Sequence, residues 1–344
     1  MGATGVVGQH FLRGLVDHPY FELVAICASD ARTGQRLDSV KEHVPGGIPA
    51  EFGGMVFDPL DVEAMLSRGA HIAFSALPSD IAGDIEQRAA EKGISVFSNA
   101  GAHRMDADVP ILIPEINAPQ SALAITQRRL RKGFIFTNAN CTTTGLAMAL
   151  LPLISLGIRK MVVASYQAIS GAGYPGHSAM DITANVIPYI SNEEPKVRRE
   201  CVKIFGDVEG DTIRPRDWEI HAHCVRVPTL VGHMISVHLD IEEKASLEQV
   251  ESLIENYTPP QQVAGLPSAP SQPVLFTRDP LRPQPRLDVD AGDPERARGM
   301  AVTIGRLEAG EGVVRFLTLS NNLVRGAAGG SILNAELACR EGLL

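Results

Sequence analysis

The chain has 344 residues, a formal net charge of −9 and 44% hydrophobic residues. At about 150 residues per domain, this length indicates two domains, and the apolar content excludes wholesale disorder. The acidic balance, with no Lys/Arg block, argues against nucleic acid and anionic membranes as partners. No apolar run approaches the roughly 20 residues that span a bilayer, and no secretory signal is visible.

The cysteines indicate a reducing compartment. There are five of them, an odd number, widely scattered and without a CxxC pair: Cys27, Cys141, Cys201, Cys224 and Cys339. We therefore expect neither a disulfide framework nor a structural zinc site, and we expect a cytoplasmic location.

Two patterns alternate along roughly the first 140 residues. Short apolar runs are typical of buried strands, and helical patterns lie between several of them. Val7, Phe11 and Leu15 share one helical face, and Gly93 ends a second helix that begins near Ile81. The predicted strands cover residues 23–28, 72–77, 94–98 and 134–137. This alternation predicts an α/β fold with a doubly wound parallel sheet.

The rest of the chain has a different pattern. Residues 233–241 alternate cleanly between apolar and polar, which is typical of a half-buried antiparallel strand. Further strands are predicted at residues 161–168, 301–307 and 313–319, a short helix at 200–205, a long extended connection at 259–285 and a final helix from about residue 323. This region is expected to form a mixed α+β domain.

A glycine loop opens the chain. Residues 2–8 read GATGVVG, a GxxGxxG variant of the dinucleotide-binding fingerprint, in which glycines let the backbone approach a pyrophosphate at a helix N-terminus. Alone the pattern is weak, since a glycine-rich turn before a helix is common. The strand predicted at 23–28 and the polar residues Ser29, Asp30 and Arg32, about 20 residues past the loop, favour the functional interpretation.

The position of this loop conflicts with the fold in one respect. A doubly wound domain places a strand directly before the glycine loop, whereas the loop here begins at Gly2. We therefore expect the first strand to be missing before Gly2, with Met1 as its last residue. Because such a strand is central in the sheet, its absence predicts poor cofactor binding or marginal stability.

A cysteine turn follows the strand at residues 134–137. The sequence FIFTNANCTTTG places Cys141 at the Thr-rich start of an apolar helix. The helix dipole at that position lowers a thiol pKa from about 8.5 and favours a nucleophilic thiolate. Neighbouring amides could hold an oxyanion. The alternative for an isolated cysteine is a buried, inert side chain.

With these motifs the chain resembles the aspartate-β-semialdehyde dehydrogenase family, in its archaeal and fungal branch. The resemblance covers essentially the whole length, with segments such as SNAGAHRMDADVPILIPEIN (98–117), NANCTTTGLAMALLPL (138–153), NEEPKVRRECVKIFG (192–206) and NNLVRGAAGGSILNAEL (321–337). Members reduce aspartyl phosphate to aspartate semialdehyde with NADPH, the second step towards lysine, methionine, threonine and diaminopimelate.

The resemblance implies a covalent mechanism. Cys141 would attack the acyl phosphate and form a thioester, which hydride converts to a thiohemiacetal that collapses to the aldehyde. His233 would be the general acid/base, and its phase with the buried residues Ile235 and Val237 points it inwards. Gln167 would orient the acyl group beside Cys141.

The same resemblance implies a substrate site. Arg226 would hold the substrate carboxylate with its planar fork, and Glu193 would receive the ammonium group, with Glu194 as the alternative. Lys196 and Arg104 would hold the phosphate, and Asn140 would support the thioester oxygen or the phosphate. Taken alone, the Glu193–Lys196 run is better explained by an exposed charged turn, and only the resemblance of its flanking residues favours a binding role.

Cofactor contacts are expected from the glycine loop, the ribose-reading segment, one strand end and two later turns. The candidates are Gly2, Thr4, Gly5, Val6, Val7, Gly8, Ser29, Arg32, Thr33, Ser75, Ala76, Leu77, Ser170, Gly171, Gly173 and Asn322. Ser29, Arg32 and Thr33 could cradle a 2′-phosphate, whereas Asp30 could accept from an unphosphorylated ribose. We expect NADP rather than NAD.

The expected organisation is a dinucleotide-binding domain of residues 1–140 plus 321–344, and a catalytic and dimerisation domain of residues 141–320. The resemblance implies a homodimer or homotetramer. Alternatives are a CoA-thioester reductase of the malonyl-CoA type, which needs no ammonium or phosphate site, and a non-catalytic dinucleotide-binding module. A metal site at His221 and His223 is not expected, because no third ligand is apparent.

Overall fold

The structure, a computed structural model, describes all residues from 1 to 344. The chain forms two compact units. Unit 1 comprises Met1–Ala139, Val208–Ile213 and Ala327–Leu344, and unit 2 comprises Asn140–Asp207 and Arg214–Gly326. None of the helices combines the length and the apolar character that a membrane-spanning segment needs.

The elements in chain order are α1 Val6–Gly14, β1 Cys27–Ala28, α2 Ala50–Gly53, β2 Asp58–Pro59, α3 Val62–Ser67, β3 Ile72–Ser75, α4 Ser79–Glu91, β4 Ser95–Ser98, α5 Pro114–Asn117, α6 Leu123–Leu130, β5 Ile135–Thr137, α7 Cys141–Leu150, β6 Ile158–Gln167, α8 Ala179–Ile182, α9 Glu193–Ile204, β7 Asp207–Glu209, β8 Thr212–Arg214, β9 Glu219–Arg226, β10 His233–Ile241, α10 Leu247–Glu255, β11 Val274–Thr277, α11 Pro285–Asp288, β12 Val302–Gly310, β13 Val313–Ser320 and α12 Gly329–Arg340. Short 3₁₀ turns cover Leu37–Ser39, Ala118–Ala122, Leu151–Leu156, Ile169–Ala172 and Glu295–Ala297, and a π-type turn covers Val324–Ala328.

Unit 1 holds parallel strands with helices between them. Strands β3, β4 and β5 form one parallel sheet, and β1 pairs in parallel with β2 in a separate pair. The apolar face of α4 packs on this sheet, with Ala89 and Ala90 in the same buried cluster as Val96 and Ile135. The alternation of buried strands and helices predicted by the sequence is confirmed, and so is the α/β class.

Met1 lies between the two sheets of unit 1. Its amino group donates to the carbonyl of Phe74 at 2.8 Å, and its carbonyl accepts from the amide of Ala76 at 3.1 Å. On the other side, the amide of Gly2 donates to the carbonyl of Cys27 at 3.2 Å. Met1 and Gly2 together therefore connect the end of β3 with the start of β1.

Unit 2 is built on one mixed sheet of six strands, in the order β11-β12-β13-β10-β6-β9. The pairs β11/β12 and β6/β9 are parallel and the others antiparallel. Helix α7 packs on this sheet and against α9. Every residue of α7 from Thr142 to Leu150 is buried, as expected for a helix that is apolar all round.

Two sequence predictions need correction in unit 2. The helix predicted at 200–205 begins seven residues earlier, at Glu193. Pro195 hides this start, although proline is tolerated in a first helical turn. The connection predicted as extended at 259–285 contains β11, which pairs in parallel with β12. Its four residues are too few to show a strand pattern between prolines.

The final helix also departs from its prediction. A π-type turn runs from Val324, and the backbone of Ala327 is not helical, with φ −149° and ψ −108°. Helix α12 then begins at Gly329. The two consecutive glycines at 329 and 330 are poor helix formers, which makes a break at this point inexpensive.

Candidate active site

Three side chains predicted for the site lie at one edge of the unit 2 sheet. Gln167 is the last residue of β6 and pairs in register with Arg226, the last residue of the parallel strand β9. His233 is the first residue of β10, which is antiparallel to β6. The strand ends and the strand start therefore coincide at this edge, and all three side chains are buried.

Cys141 is the first residue of α7, and Asn140 caps that helix. The Asn140 side-chain oxygen accepts from the amides of Thr142 and Thr143 at 3.0 and 3.1 Å. The Asn140 backbone amide donates to Glu200 Oε2 at 2.6 Å. The cysteine turn is thus fixed on both sides, by an N-cap and by a buried carboxylate from α9.

The Cys141 sulfur lies 3.3 Å from Nε2 of His233. The other ring nitrogen, Nδ1, accepts from the amide of Ala168 at 3.1 Å. Because Nδ1 accepts, the neutral ring carries its proton on Nε2 and donates it towards the sulfur. Burial, and to a smaller extent the positive charge of Arg226, lower the pKa of His233 to about 3. The resting imidazole is therefore uncharged and suited to donating a hydrogen bond to a thiolate.

Arg226 is buried beside this pair. Its Nη1 donates to the Ala168 carbonyl at 2.7 Å, while its buried Nε has no hydrogen-bond partner in the protein. A Cβ on Gly171 would lie 2.9 Å from Arg226 Nη1 and 3.0 Å from His233 Nε2, so only glycine leaves this space open. Burial lowers the Arg226 pKa, yet a guanidinium stays charged in proteins.

Glu193 collects polar groups from three elements. Its Oε1 accepts from Asn140 Nδ2 at 3.0 Å, and from Thr142 Oγ1 and Gln167 Nε2 at 3.1 Å each. Its Oε2 lies 3.9 Å from Lys196 Nζ, one helical turn on. Glu193 is only 5% exposed, so the alternative of an exposed charged turn does not describe it. Glu194 instead accepts from the Cys224 amide at 3.1 Å.

Two contacts around the cysteine were not anticipated from the sequence. Glu200 was not singled out, although it lies two turns after Glu193 on the same helix. Gly326 lies against Cys141, where a Cβ would come within 2.7 Å of the cysteine Cβ. The segment 192–206 contains Glu200, but the sequence of a helix does not show which of its carboxylates faces the protein interior.

Asn322 connects two further parts of unit 2. Its side-chain oxygen accepts from the Gly232 amide at 2.9 Å, and its nitrogen donates to Ser170 Oγ at 3.0 Å. Gly232 precedes His233, so Asn322 fixes the start of β10 relative to the turn at residues 169–172. Gly171 belongs to this turn, and Gly173 follows it with φ +69°.

The remaining candidates lie in unit 1. The glycine loop precedes α1, with Gly5 as its N-cap. A Cβ on Gly2 would lie 2.8 Å from the Ala76 carbonyl oxygen, and one on Gly8 would lie 2.1 Å from the Gly2 carbonyl oxygen. The backbone of this loop can therefore close tightly before the helix N-terminus only with glycines, as an anion cradle requires.

The other candidate cofactor and phosphate ligands of unit 1 fall into three sets. Ser29, Arg32 and Thr33 lie on an exposed turn in which the Arg32 amide donates to the Ser29 carbonyl at 2.8 Å. Ser75 is fully buried at the end of β3. Cofactor contacts in this segment would therefore come from Ala76 and Leu77, which follow the strand. Arg104 donates to the carbonyls of Asn138 and Asn99 at 2.9 and 2.8 Å.

The histidine pair weighed as a metal site has another arrangement. His221 is exposed on β9, with Nε2 2.6 Å from Glu219 Oε1. No cluster of three or more His, Cys, Asp or Glu side chains has the geometry to hold a metal ion. None of the five cysteines forms a disulfide.

The chain is similar to known proteins in both sequence and structure. Residues 1–124 match the family model described as semialdehyde dehydrogenase, NAD binding domain, and residues 150–325 match semialdehyde dehydrogenase, dimerisation domain. The aspartate-semialdehyde dehydrogenase of Archaeoglobus fulgidus is 43% identical over 100% of this chain and 98% of its own length. A malonyl CoA reductase (NADP) of Metallosphaera sedula is 34% identical over 100% of this chain and 97% of its own length.

Solved structures agree with these relatives. The crystal structure of aspartate semialdehyde dehydrogenase with NADP from Candida albicans superposes with a TM-score of 0.91, at 32% identity, covering 100% of this chain and 98% of that one. The resemblance read from the cysteine turn and its neighbouring segments is confirmed. The chain belongs to the aspartate-semialdehyde dehydrogenase family.

Proposed function

We propose that this chain reduces L-aspartyl 4-phosphate to L-aspartate 4-semialdehyde with NADPH, releasing phosphate, through a thioester on Cys141. The observation that carries the proposal is the Cys141–His233 contact of 3.3 Å at the N-terminus of a buried helix. A thiol in such a position, beside a neutral imidazole that donates to it, is arranged as a nucleophile.

The reaction follows from the chemistry of these groups. The Cys141 thiolate attacks the acyl carbon, a C–S bond forms, and the C–O bond to phosphate breaks with its electron pair going to phosphate. When bound, NADPH would supply the hydride that reduces the Cys141 thioester to a thiohemiacetal oxyanion. The oxyanion re-forms its C=O bond as the C–S bond breaks, so the aldehyde leaves and the thiolate is restored with no proton lost. As the negative charge moves between sulfur and oxygen during the reaction, His233 Nε2–H donates a hydrogen bond to the atom that carries it.

Arg226 and Glu193 give the proposed selectivity for an amino acid. Arg226 has a buried Nε without a protein partner and can present donors to a carboxylate. Glu193 carries a buried carboxylate, already held by Gln167 and Asn140, that can accept from an ammonium group. Gln167 is thereby placed to orient the acyl group, and Asn140 to hold the turn that carries Cys141. Lys196 and Arg104 are the proposed phosphate ligands.

For the cofactor we propose NADP. The glycines at 2, 5 and 8 fit a pyrophosphate cradle, because side chains at 2 and 8 would collide with backbone. Exposed Ser29, Arg32 and Thr33 supply a cation and two hydroxyls for a 2′-phosphate. The test is kcat/KM with NADP and with NAD, for the chain and for Arg32→Ala. We expect NADP to be preferred and the substitution to remove most of that preference; a preference for NAD would contradict the assignment.

The experiment that tests the substrate is the reverse reaction. L-Aspartate semialdehyde and NADP are supplied with phosphate or with coenzyme A, and NADPH absorbance is followed. We expect sustained NADPH formation with phosphate and none with Cys141→Ala. Sustained turnover with coenzyme A instead of phosphate would favour a malonyl-CoA-type reductase, an activity that a 34% identical relative carries in its name.

We further propose a cytoplasmic homodimer or homotetramer. The match of residues 150–325 to a dimerisation domain supports self-association. We also propose that the dinucleotide-binding domain spans residues 1–140 plus 321–344, and the catalytic domain residues 141–320. Light scattering of the purified chain, at several concentrations, measures the oligomeric state directly.

A further inference from the structure

Glu86 is a buried carboxyl group that the proposed mechanism does not use. It lies on α4, where the other buried residues are alanines and an isoleucine, and its side chain is fully buried. Its Oε1 accepts from Ser98 Oγ at 2.7 Å, whereas its buried Oε2 has no hydrogen-bond partner in the protein. Since an unpaired buried carboxylate costs several kcal/mol or more, the charged form is disfavoured here.

The surroundings of Glu86 favour its neutral form. Burial raises the pKa of this carboxyl group above its ordinary value and outweighs the opposite effect of the Ser75 and Ser98 hydroxyls. Because Oε1 accepts from Ser98, the proton of the neutral acid lies on Oε2. A glutamine side chain would present the same two groups, an acceptor towards Ser98 and a donor on the other side.

Ser98 connects Glu86 with the turn that follows β4. It is the last residue of β4 and pairs in register with Ser75 and Thr137, the last residues of β3 and β5. Its hydroxyl donates its one proton to Glu86 and accepts from the Ala100 amide at 3.0 Å. In sheets of this kind, ligands bind beyond the carboxyl ends of the parallel strands.

Arg104 lies in the same turn and is joined to the strand ends. Its Nε donates to the Asn138 carbonyl at 2.9 Å and its Nη2 to the Asn99 carbonyl at 2.8 Å. Asn99 and Asn138 are the first residues after β4 and β5, and their side chains are joined by a hydrogen bond of 3.1 Å. The position of the guanidinium therefore depends on the conformation of the turn that Ser98 holds.

We propose that Glu86 is a positioning residue for Arg104, and that it acts through Ser98 on the turn at residues 99–104. This inference rests on the proposed function, in which Arg104 binds phosphate. The effect passes along two hydrogen bonds, from Glu86 to Ser98 and from Ser98 to the Ala100 amide. Loss of the Glu86 acceptor should therefore weaken phosphate binding more than it slows the chemical step.

The test follows the reverse reaction with phosphate varied and L-aspartate semialdehyde and NADP saturating. We expect Glu86→Leu to raise the KM for phosphate about fivefold or more and to change kcat by less than about twofold. Glu86→Gln should stay within about twofold of wild type in both constants, because it keeps the acceptor for Ser98. Glu91→Leu is the matched control, since Glu91 is exposed on the same helix, and it should match wild type.

A double-mutant cycle tests the route through Ser98. We expect Ser98→Ala to raise the KM for phosphate at least as much as Glu86→Leu does, and Glu86→Leu to have no further effect when Ser98 is already alanine. Amide exchange in residues 99–104 should be faster by about fivefold or more in Glu86→Leu and unchanged in Glu86→Gln. This second readout needs no turnover.

Three results, obtained with a wild type that turns over with phosphate, would overturn the proposal. The first is an unchanged phosphate KM in Glu86→Leu and in Ser98→Ala. The second is additive effects of these two substitutions, because Glu86 would then act by another route. The third is an equal loss in Glu86→Gln and Glu86→Leu.

Two further outcomes are also decisive. If Glu86→Leu does not fold, a raised phosphate KM in Ser98→Ala with a wild-type value in Glu86→Gln supports the proposal, and any other combination contradicts it. A wild type without phosphate-dependent turnover contradicts the proposed function itself, and this inference with it.

Discussion

At the scale of single residues, burial determines the protonation state of the histidine in the candidate site. His233 is fully buried, and desolvation together with Arg226 keeps its ring neutral. A neutral ring that accepts from Ala168 has one proton to offer, and it lies on the nitrogen nearest the Cys141 sulfur. We therefore propose that His233 acts as a hydrogen-bond donor and Cys141 as a nucleophile, without transfer of the thiol proton to the imidazole.

This neutral state predicts a dependence of stability on pH. The folded-state pKa of His233, about 3, lies below the unfolded value of about 6.5, so the unfolded chain binds the extra proton first. The contribution of His233 is complete above pH 6.5 and is lost as the pH falls from 6.5 towards 3. We expect wild type to lose up to about 1.4 kcal/mol per pH unit more than His233→Gln in this range.

The measurement is urea unfolding at half-unit steps between pH 4 and pH 8. His238→Gln is the matched control, because that side chain is half exposed on the same strand, and it should keep the wild-type slope. Parallel slopes for wild type and His233→Gln would show that the buried ring is not neutral in the folded state.

Glu200 is expected to act as a positioning residue for Cys141. Its carboxylate holds the Asn140 amide at 2.6 Å, and alanine would leave that buried donor without this partner. We expect Glu200→Ala to lower kcat about tenfold or more with a smaller change in KM, since misplacing the nucleophile affects the chemical step most. Glu200→Gln retains an oxygen acceptor and should recover most of kcat. Equal losses in both variants would contradict a role through the amide.

Residue roles were only partly readable from the sequence. The strand alternation indicated that His233 faces inwards, and its burial confirms this orientation. The choice between Glu193 and Glu194 could not be made, because adjacent residues on a helix differ in direction by a rotation that only the packing fixes. Glu200 carried no signal at all, since its role depends on a backbone amide 60 residues away.

At the scale of elements, helix α7 connects stability with activity. Asn140 caps it with two amide contacts, and Ser246 caps α10 in a capping box. We expect Asn140→Ala and Ser246→Ala each to lower the free energy of unfolding by about 1 kcal/mol. Only Asn140→Ala should also lower kcat, because only that cap adjoins the proposed nucleophile, Cys141. Unfolding by urea and steady-state assays on both variants provide the comparison, and an active Asn140→Ala enzyme would contradict it.

The predictions of helices and strands were right where the sequence pattern was long and wrong where prolines obscured the pattern. The nine-residue alternation at β10 was unambiguous, and the helix predicted from Ile81 is α4. Helix α9 was placed late because of Pro195, and β11 was missed within a proline-rich stretch. The strand predicted at residues 23–28 is shortened to Cys27–Ala28, which pairs only with β2.

At the scale of the whole molecule, the five thiols divide into distinct classes. Cys27, Cys201 and Cys224 are buried, and burial raises the pKa of Cys201 to about 12 and of Cys224 to about 11. Cys141 is partly accessible and Cys339 is exposed. We expect iodoacetamide to alkylate Cys141 first and Cys339 more slowly, and the other three only after unfolding. Peptide mass spectrometry over time measures the order, and equal rates at Cys141 and Cys339 would favour a non-catalytic module.

The α/β class was predictable because strand and helix periods alternate over many residues, so single errors did not change the result. The arrangement of the site could not be predicted in this way. Gln167, Arg226 and His233 meet through sheet register, and Cys141 joins them because α7 packs on that sheet. The resemblance supplied those residues as a set, and the geometry supplies the physical reason for their grouping.

The central claim is that Cys141 carries a thioester which phosphate then cleaves. The most direct measurement is rapid mixing of the enzyme with L-aspartate semialdehyde and NADP in phosphate-free buffer, followed by addition of phosphate. The account predicts a burst of about one NADPH per active site, followed by near arrest, and sustained formation once phosphate is added. Cys141→Ala should show neither phase. Sustained turnover without phosphate, or a burst that survives Cys141→Ala, would contradict the account.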